Sequence, residues 1–165
     1  DILIEGFTTY RNDFSGIGEL HLIGDGEFCT EMKEIVKTNV INDCVTFYGP
    51  KFGQEKIKLI KNMDVFVHTS RNEGLPTAVI EAASLGVPCI VSEMTSMDRY
   101  IKGYNAGWAL SQLTITEVAK ALKEAEKRFI NGSLTSLGEN ARKLAKESFD
   151  WSVIAKQTLS MYSND

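Results

Sequence analysis

The sequence predicts an α/β domain: a doubly wound parallel sheet covered by helices on both faces. Three observations carry that expectation. Short apolar runs bounded by glycine, proline and polar residues alternate with segments whose apolar residues recur every three or four positions, so strands and helices take turns. Two runs, Val65-Phe66-Val67 and Cys89-Ile90-Val91, are continuously apolar, as suits strands buried on both faces. The 165 residues are 43% hydrophobic and 24% charged, the usage of an ordinary globular chain with one core.

Each element follows in order. Ile2 to Tyr10 reads as a helix, and Gly18 to Gly24 as a short strand ending in glycine. Phe28, Met32, Ile35 and Val36 then recur at helical spacing. Val45 to Gly49 is a second strand with a Gly-Pro stop, followed by a helix carrying Ile57 and Ile60. Asp64 to Thr69 is a third strand, Pro76 to Leu85 a helix, Pro88 to Ser92 a fourth strand and Gly107 to Leu110 a last one. Thr114-Ile115-Thr116-Glu117 has the form of a capping box, ahead of a helix through Val118, Ala121, Leu122, Ala125 and Phe129. Lys and Glu alternate from Lys120 to Lys127 as expected of an exposed helix face with i,i+4 pairs. Two helices close the chain, Leu134 to Ser148 and one after Asp150 that is expected to pack through Trp151, Ile154, Ala155, Leu159 and Tyr162.

A doubly wound sheet ordinarily opens on a strand, whereas this chain opens on a helix at Asp1. The expectation is a piece of a longer protein whose opening strand lies upstream, with a central slot in the sheet unfilled and strand edges exposed to pairing. Net charge is -4, from 18 Lys plus Arg against 22 Asp plus Glu, which supplies no field for holding a polyanion, so nucleic acid is not an expected partner. No apolar run reaches the ~20 residues of a membrane helix, and Asp1 to Glu5 carries no signal-peptide pattern. A cytoplasmic chain is expected. Cys29, Cys44 and Cys89 form no Cys-x-x-Cys and read as reduced, mostly buried thiols.

Chemistry is concentrated between Ser70 and Pro88. Glu73 lies on the loop after a strand, and Pro76 sits where proline is tolerated, at the start of a helix whose first N–H groups are unpaired. The amides near Thr77 and Ala78, with the positive end of the helix dipole, make a seat for a diphosphate at the C-terminal edge of the sheet. Glu81, just over one turn in, can accept two hydrogen bonds from a vicinal diol such as a ribose. By spacing alone the segment is equally an ordinary strand-turn-helix with solvated glutamates. Gly24-x-Gly26-x-x-Cys29 is a broken dinucleotide fingerprint with cysteine at its third position, which argues against a nicotinamide enzyme. There is no Asp-x-Asp pair and no His/Cys/carboxylate cluster, so no metal and no cofactor is implied. His21 is read as packing and Arg71 as solvated, while His68 is read equally as lining the pocket or as having no polar role there.

The full string, Glu73-Gly74-x-Pro76 through Glu81-Ala82-x-Ser84-x-Gly86-x-Pro88, resembles the E-x7-E signature of retaining GT-B glycosyltransferases, in particular glycosyltransferase family 4. Leu22-Ile23-Gly24-Asp25-Gly26, Val45-Thr46-Phe47-Tyr48-Gly49, Asp64-Val65-Phe66-Val67 and Phe149-Asp150-Trp151 resemble further segments of the same family's C-terminal, Rossmann-like donor domain. Nearly all of 1–165 fits that domain, and nothing resembles the N-terminal acceptor domain.

The resemblance implies roles. Glu81 would bind the nucleotide ribose, and Glu73 would stand near the donor sugar and reacting centre. Gly74, Leu75, Thr77 and Ala78 would give backbone contacts to sugar and diphosphate. Gly24 and Gly26 would allow close backbone approach, and the base would lie near Tyr48, Gly49 and Pro50. The partners implied are a nucleotide-diphosphate sugar, with uridine the commonest base, and an N-terminal domain of the same enzyme, which would work in polysaccharide assembly, peripheral at the inner membrane face. The family's phosphate-binding Arg and Lys would fall upstream of Asp1, and Met94 to Ile101 replaces a glycine-glycine and glutamate pattern, so that segment has no assigned role. A non-catalytic α/β nucleotide-binding or regulatory module is the second reading. A sugar-nucleotide epimerase shares the architecture but not the signature.

Overall fold

The computed structural model describes residues 1–162. Its elements are α1 (Ile2–Asn12), β1 (Leu20–Ile23), α2 (Cys29–Thr38), β2 (Val45–Gly49), α3 (Gly53–Lys61), β3 (Phe66–His68), α4 (Thr77–Ser84), β4 (Cys89–Ser92), α5 (Asp98–Tyr104), β5 (Gly107–Leu110), α6 (Ile115–Ile130), α7 (Leu134–Phe149) and α8 (Trp151–Tyr162). All the expected elements are present, with the third strand shorter than its apolar run. One helix, α5, was not expected from the sequence. It is only seven residues long, too short for periodicity to register, although Met97 and Ile101, four apart and both fully buried, mark its inner face.

Every strand pair is parallel. Cys89-Ile90-Val91-Ser92 of β4 stands between β3 and β5, in register with Phe66-Val67-His68 on one side and Gly107-Trp108-Ala109-Leu110 on the other. All four β4 residues are buried, and alternation divides them. Cys89 and Val91 pack with Val79, Ala82, Ile101 and Leu144 beneath α4, α5 and α7, while Ile90 packs with Val118, Ala121 and Ala125 of α6. The apolar runs are therefore two-sided, as expected. Gly107 lets β5 close onto β4: its φ is +144°, and a Cβ there would lie 2.0 Å from the Cys89 carbonyl oxygen.

The parallel sheet stands in two parts, because β1 pairs with β2 alone and β3 with β4 but not β1. A cavity of about 700 Å³ separates their facing edges, walled by Leu20–Ile23 and Val65–His68 and closed from behind by Phe7, Tyr10 and Phe129. A second apolar cluster, with Ile4, Phe7, Val36, Cys44 and Val45, packs α1 and α2 against β1 and β2.

Three expectations are corrected. The closing helix α8 buries no residue, and Trp151 and Tyr162 are about four-fifths exposed, so neither packs within the described residues. The Thr114 hydroxyl does accept from the Glu117 N–H at 3.2 Å, yet the Thr114 N–H donates to the Gln112 carbonyl, so only half of the capping box forms. The Lys/Glu pairs of α6 form mainly at i,i+3, and Glu126, though paired with Lys123, is turned away from solvent. Its side chain is 7% exposed and accepts from the Tyr10 hydroxyl and the Ile17 N–H, tying α1 and the entry to β1 onto α6. Burial alone would raise the Glu126 carboxyl, but hydrogen bonds from Lys123, Tyr10 and Ile17 bring it below its ordinary value. Of the cysteines, Cys89 is fully buried, which pushes its thiol up to about 12, Cys44 is buried and also raised, and Cys29 is half-buried.

Burial, followed by the bond to Glu126, pushes the Tyr10 phenol up to about 12. A raised folded value means the folded chain holds its proton where the unfolded chain has lost it. The contribution is whole below pH 10 and fades as pH rises towards 12. Tyr10→Phe should cost about 1–2 kcal/mol at neutral pH, because the Gly18 N–H that donates to the phenol at 2.8 Å loses its acceptor. Chemical denaturation from pH 8 to 12 should show the wild-type advantage over Tyr10→Phe shrinking above pH 10; a constant gap would contradict the assignment.

Candidate functional site

Because all strands run parallel, their C-terminal ends share one edge, and the chemistry-bearing residues gather there. The Gly24 N–H, just past β1, donates to the Gly49 carbonyl at the end of β2 at 2.9 Å. Gly24 has φ +136°, and nothing lies within 4 Å of where a Cβ would stand, so the backbone is open to close approach. Gly26 is equally open. The Tyr48 ring lies 5.5 Å from the ring of His21, which also meets Glu19 at 3.3 Å; the expected packing role of His21 is shared with a polar contact.

The loop after β3 is pinned to β4. The Ser92 hydroxyl donates to the Ser70 carbonyl at 2.5 Å, and the Thr95 hydroxyl donates to the Ser92 carbonyl at 2.8 Å. Both residues are fully buried, and each hydroxyl is satisfied by backbone. Glu73 then forms an isolated parallel bridge with Thr95. The segment from Met94 to Ile101, without a role on sequence grounds, thus buttresses the Glu73 loop through Thr95 and anchors in the core through Met97.

At the start of α4, Pro76 is the N-cap, one residue before the helix proper, with φ -74° and ψ 96°. Proline has no N–H, and no side chain caps the helix. The first bonded amides are those of Val79 and Ile80, which donate to the Pro76 carbonyl at 3.0 and 3.4 Å. The N–H groups of Thr77 and Ala78 therefore have no acceptor among the described residues, and Thr77 is exposed. Gly74 and Leu75 are exposed just ahead of them. This is a donor-rich, uncapped terminus with partial positive charge.

Each glutamate of the segment meets a basic side chain. The Glu73 carboxylate lies in hydrogen-bond contact with Nε2 of the His68 imidazole at the end of β3. The Glu81 Oε2 has the Lys56 ammonium of α3 at 2.6 Å. Oε2 is covered but accepts no aligned hydrogen bond, since the ammonium approaches off-axis. Of the two readings left open for His68, the contact with Glu73 favours the polar one. Arg71 is exposed, as expected, and also pairs with the Asp1 carboxylate at 2.6 Å. Lys56, Ser92 and Thr95 were missed by sequence reasoning. A lysine in a polar helix and hydroxyls at a strand end carry no signal of their own; only the folded chain brings them to the glutamates. Among the described residues no group of three or more His, Cys, Asp or Glu side chains could hold a metal, and no helix is long and apolar enough to cross a membrane.

Residues 4–144 match the family described as glycosyl transferases group 1, and the chain belongs to that family. It is 32% identical over 136 residues to the putative glycosyltransferase EpsF of Bacillus subtilis, covering 75% of this chain and 33% of EpsF. It is 28% identical over 138 residues to the capsular polysaccharide biosynthesis glycosyltransferase CapM of Staphylococcus aureus, covering 82% of this chain and 32% of CapM. Its fold matches that of Anabaena Alr3699/HepE in complex with UDP at a TM-score of 0.84 and 19% identity, covering 99% of this chain and 44% of HepE. The architecture is that of a GT-B glycosyltransferase C-terminal domain. The chain spans about a third of the length of the curated relatives it matches.

The pinning of the loop can be tested directly. Ser92→Ala removes the donor to the Ser70 carbonyl, at a cost of about 1 kcal/mol. Amide hydrogen exchange at residues 71–75 should quicken by about fivefold while β4 itself stays protected. Unchanged exchange in the loop would show that Ser92 does not hold it.

Proposed function

We propose that this chain is the donor-binding half of a retaining, family 4-like glycosyltransferase that takes a sugar from a nucleotide diphosphate, with uridine the base, to a glycan or glycoconjugate acceptor. The single observation that carries the reading is the uncapped N-terminus of α4 standing between Glu73 and Glu81 at the C-terminal edge of the sheet. That terminus supplies free amides and partial positive charge where a diphosphate must sit. The UDP in the HepE complex and the polysaccharide role in the name of CapM support the substrate class.

In the reaction, the bond between the anomeric carbon and the diphosphate oxygen breaks, and its electron pair leaves with the nucleotide. The acceptor hydroxyl oxygen bonds to the anomeric carbon on the same face, and its proton passes to the departing diphosphate oxygen. The amides of Thr77 and Ala78 and the α4 dipole hold the charge that develops on the leaving diphosphate. Gly74 and Leu75 contact the sugar side through their backbone. Glu73, steadied by His68, is the catalytic residue facing the donor sugar. Glu81 accepts the ribose hydroxyls, Gly24 and Gly26 let the backbone approach the ligand, and the base lies over Tyr48 and Gly49. No metal and no cofactor takes part. An N-terminal acceptor-binding domain completes the enzyme, which works in the cytoplasm in polysaccharide assembly, and the present chain alone is inactive.

The test separates the two glutamates. In the complete enzyme, Glu81→Ala should weaken nucleotide binding by about 10- to 100-fold, the worth of hydrogen bonds to a charged acceptor, and remove most transfer. Glu73→Ala should leave nucleotide affinity within about threefold and lower kcat far more. Calorimetry with UDP, beside transfer kinetics, reads both. Full activity of Glu81→Ala would sink the assignment.

A further inference from the structure

We propose that Lys56 is a positioning residue for ribose recognition, holding the Glu81 carboxylate in the orientation that meets the nucleotide's vicinal diol; this rests on the reading of Glu81 as the ribose ligand. Lys56 and Glu81 lie 25 residues apart on α3 and α4, and the ammonium stands 2.6 Å from Oε2. Both side chains are partly exposed, Lys56 by 32% and Glu81 by 44%, so the contact is a modest source of stability. Its geometry is also poor for that purpose. Oε2 is covered yet accepts no aligned hydrogen bond, an arrangement that leaves a carboxylate oxygen short of donors. Oε1 accepts no hydrogen bond among the described residues.

The ammonium thus holds Oε2 by charge, without an aligned hydrogen bond, and leaves acceptor capacity on the carboxylate, which has about four lone-pair sites. A free glutamate has several rotamers to lose when a ligand fixes it. With Lys56 in place, part of that ordering is complete before the diol arrives. The location suits the task. Lys56 is on the helix that follows β2, whose end at Tyr48 and Gly49 is the proposed base edge, so the clamp bridges the base side and the ribose ligand. The other lysine at the start of this segment, Lys51, is engaged by Glu55 at 2.5 Å.

The experiment uses the complete enzyme and compares UDP, GDP and ADP with their 2′,3′-dideoxy counterparts, which lack the diol, by calorimetry. Lys56→Met keeps the apolar stem and removes the charge. It should weaken binding of the preferred nucleotide by about threefold to fivefold, the worth of a half-exposed ion pair. Binding of the dideoxy form should not change, and Lys56→Arg should restore most of the loss. In a Glu81→Gln background Lys56→Met should have no further effect. Equal losses for both forms would place Lys56 on the phosphates or in the fold and overturn the inference, as would an indifferent Lys56→Met with normal wild-type binding. Failure of the wild-type enzyme to bind any of the nucleotides would instead sink the reading of Glu81 itself, and the inference with it.

Discussion

The site depends on β4 being closed from water on both faces. Cys89 and Val91 are held by α4, α5 and α7, and Ile90 by α6, so the strand has no freedom to shift along or across the sheet. Its last residue, Ser92, is therefore a fixed point, and from it the Ser70 carbonyl is held at 2.5 Å. The Glu73 loop is built on that anchor, with Thr95 as the second fastening. The loop proposed to carry the reacting carboxylate is thereby set on a rigid element, the arrangement a preorganised site requires.

The second feature is how charge is distributed over that frame. The start of α4 keeps its donors open because Pro76 can neither donate nor cap. The glutamates on either side of it would repel a diphosphate if left bare. Each instead has a basic side chain from another element beside it, Glu73 the His68 imidazole and Glu81 the Lys56 ammonium. Negative charge flanking the proposed phosphate seat is thus partly offset before any ligand arrives, while the helix terminus itself keeps its partial positive charge.

Much of this was legible in the sequence. The strands around the site declared themselves because two-sided burial demands unbroken apolar runs, and Val65 to Val67 and Cys89 to Val91 have them. The uncapped helix start was legible from Pro76, since a residue without an N–H can do little else there. What was not legible depends on distance along the chain. Lys56 is one of several lysines around α3, and its meeting with Glu81 across 25 residues is a product of helix packing. The hydroxyls of Ser92 and Thr95 acquire their partners only when β3 and β4 lie side by side. Trp151 misled for the converse reason: its helical spacing with Ile154 and Ala155 looks like a core face, yet nothing among the described residues covers it.

The central claim is that the edge formed by Gly24, the Glu73 loop and the start of α4 is one nucleotide-binding surface. The most direct test is an amide-shift titration of the complete enzyme with UDP, GDP and ADP in turn. The account predicts that one of them moves the amides of Gly24, Gly74, Thr77, Ala78 and Glu81 along a single saturation curve. If none of the three moves them, the surface does not bind a nucleotide diphosphate, and the non-catalytic reading replaces this one.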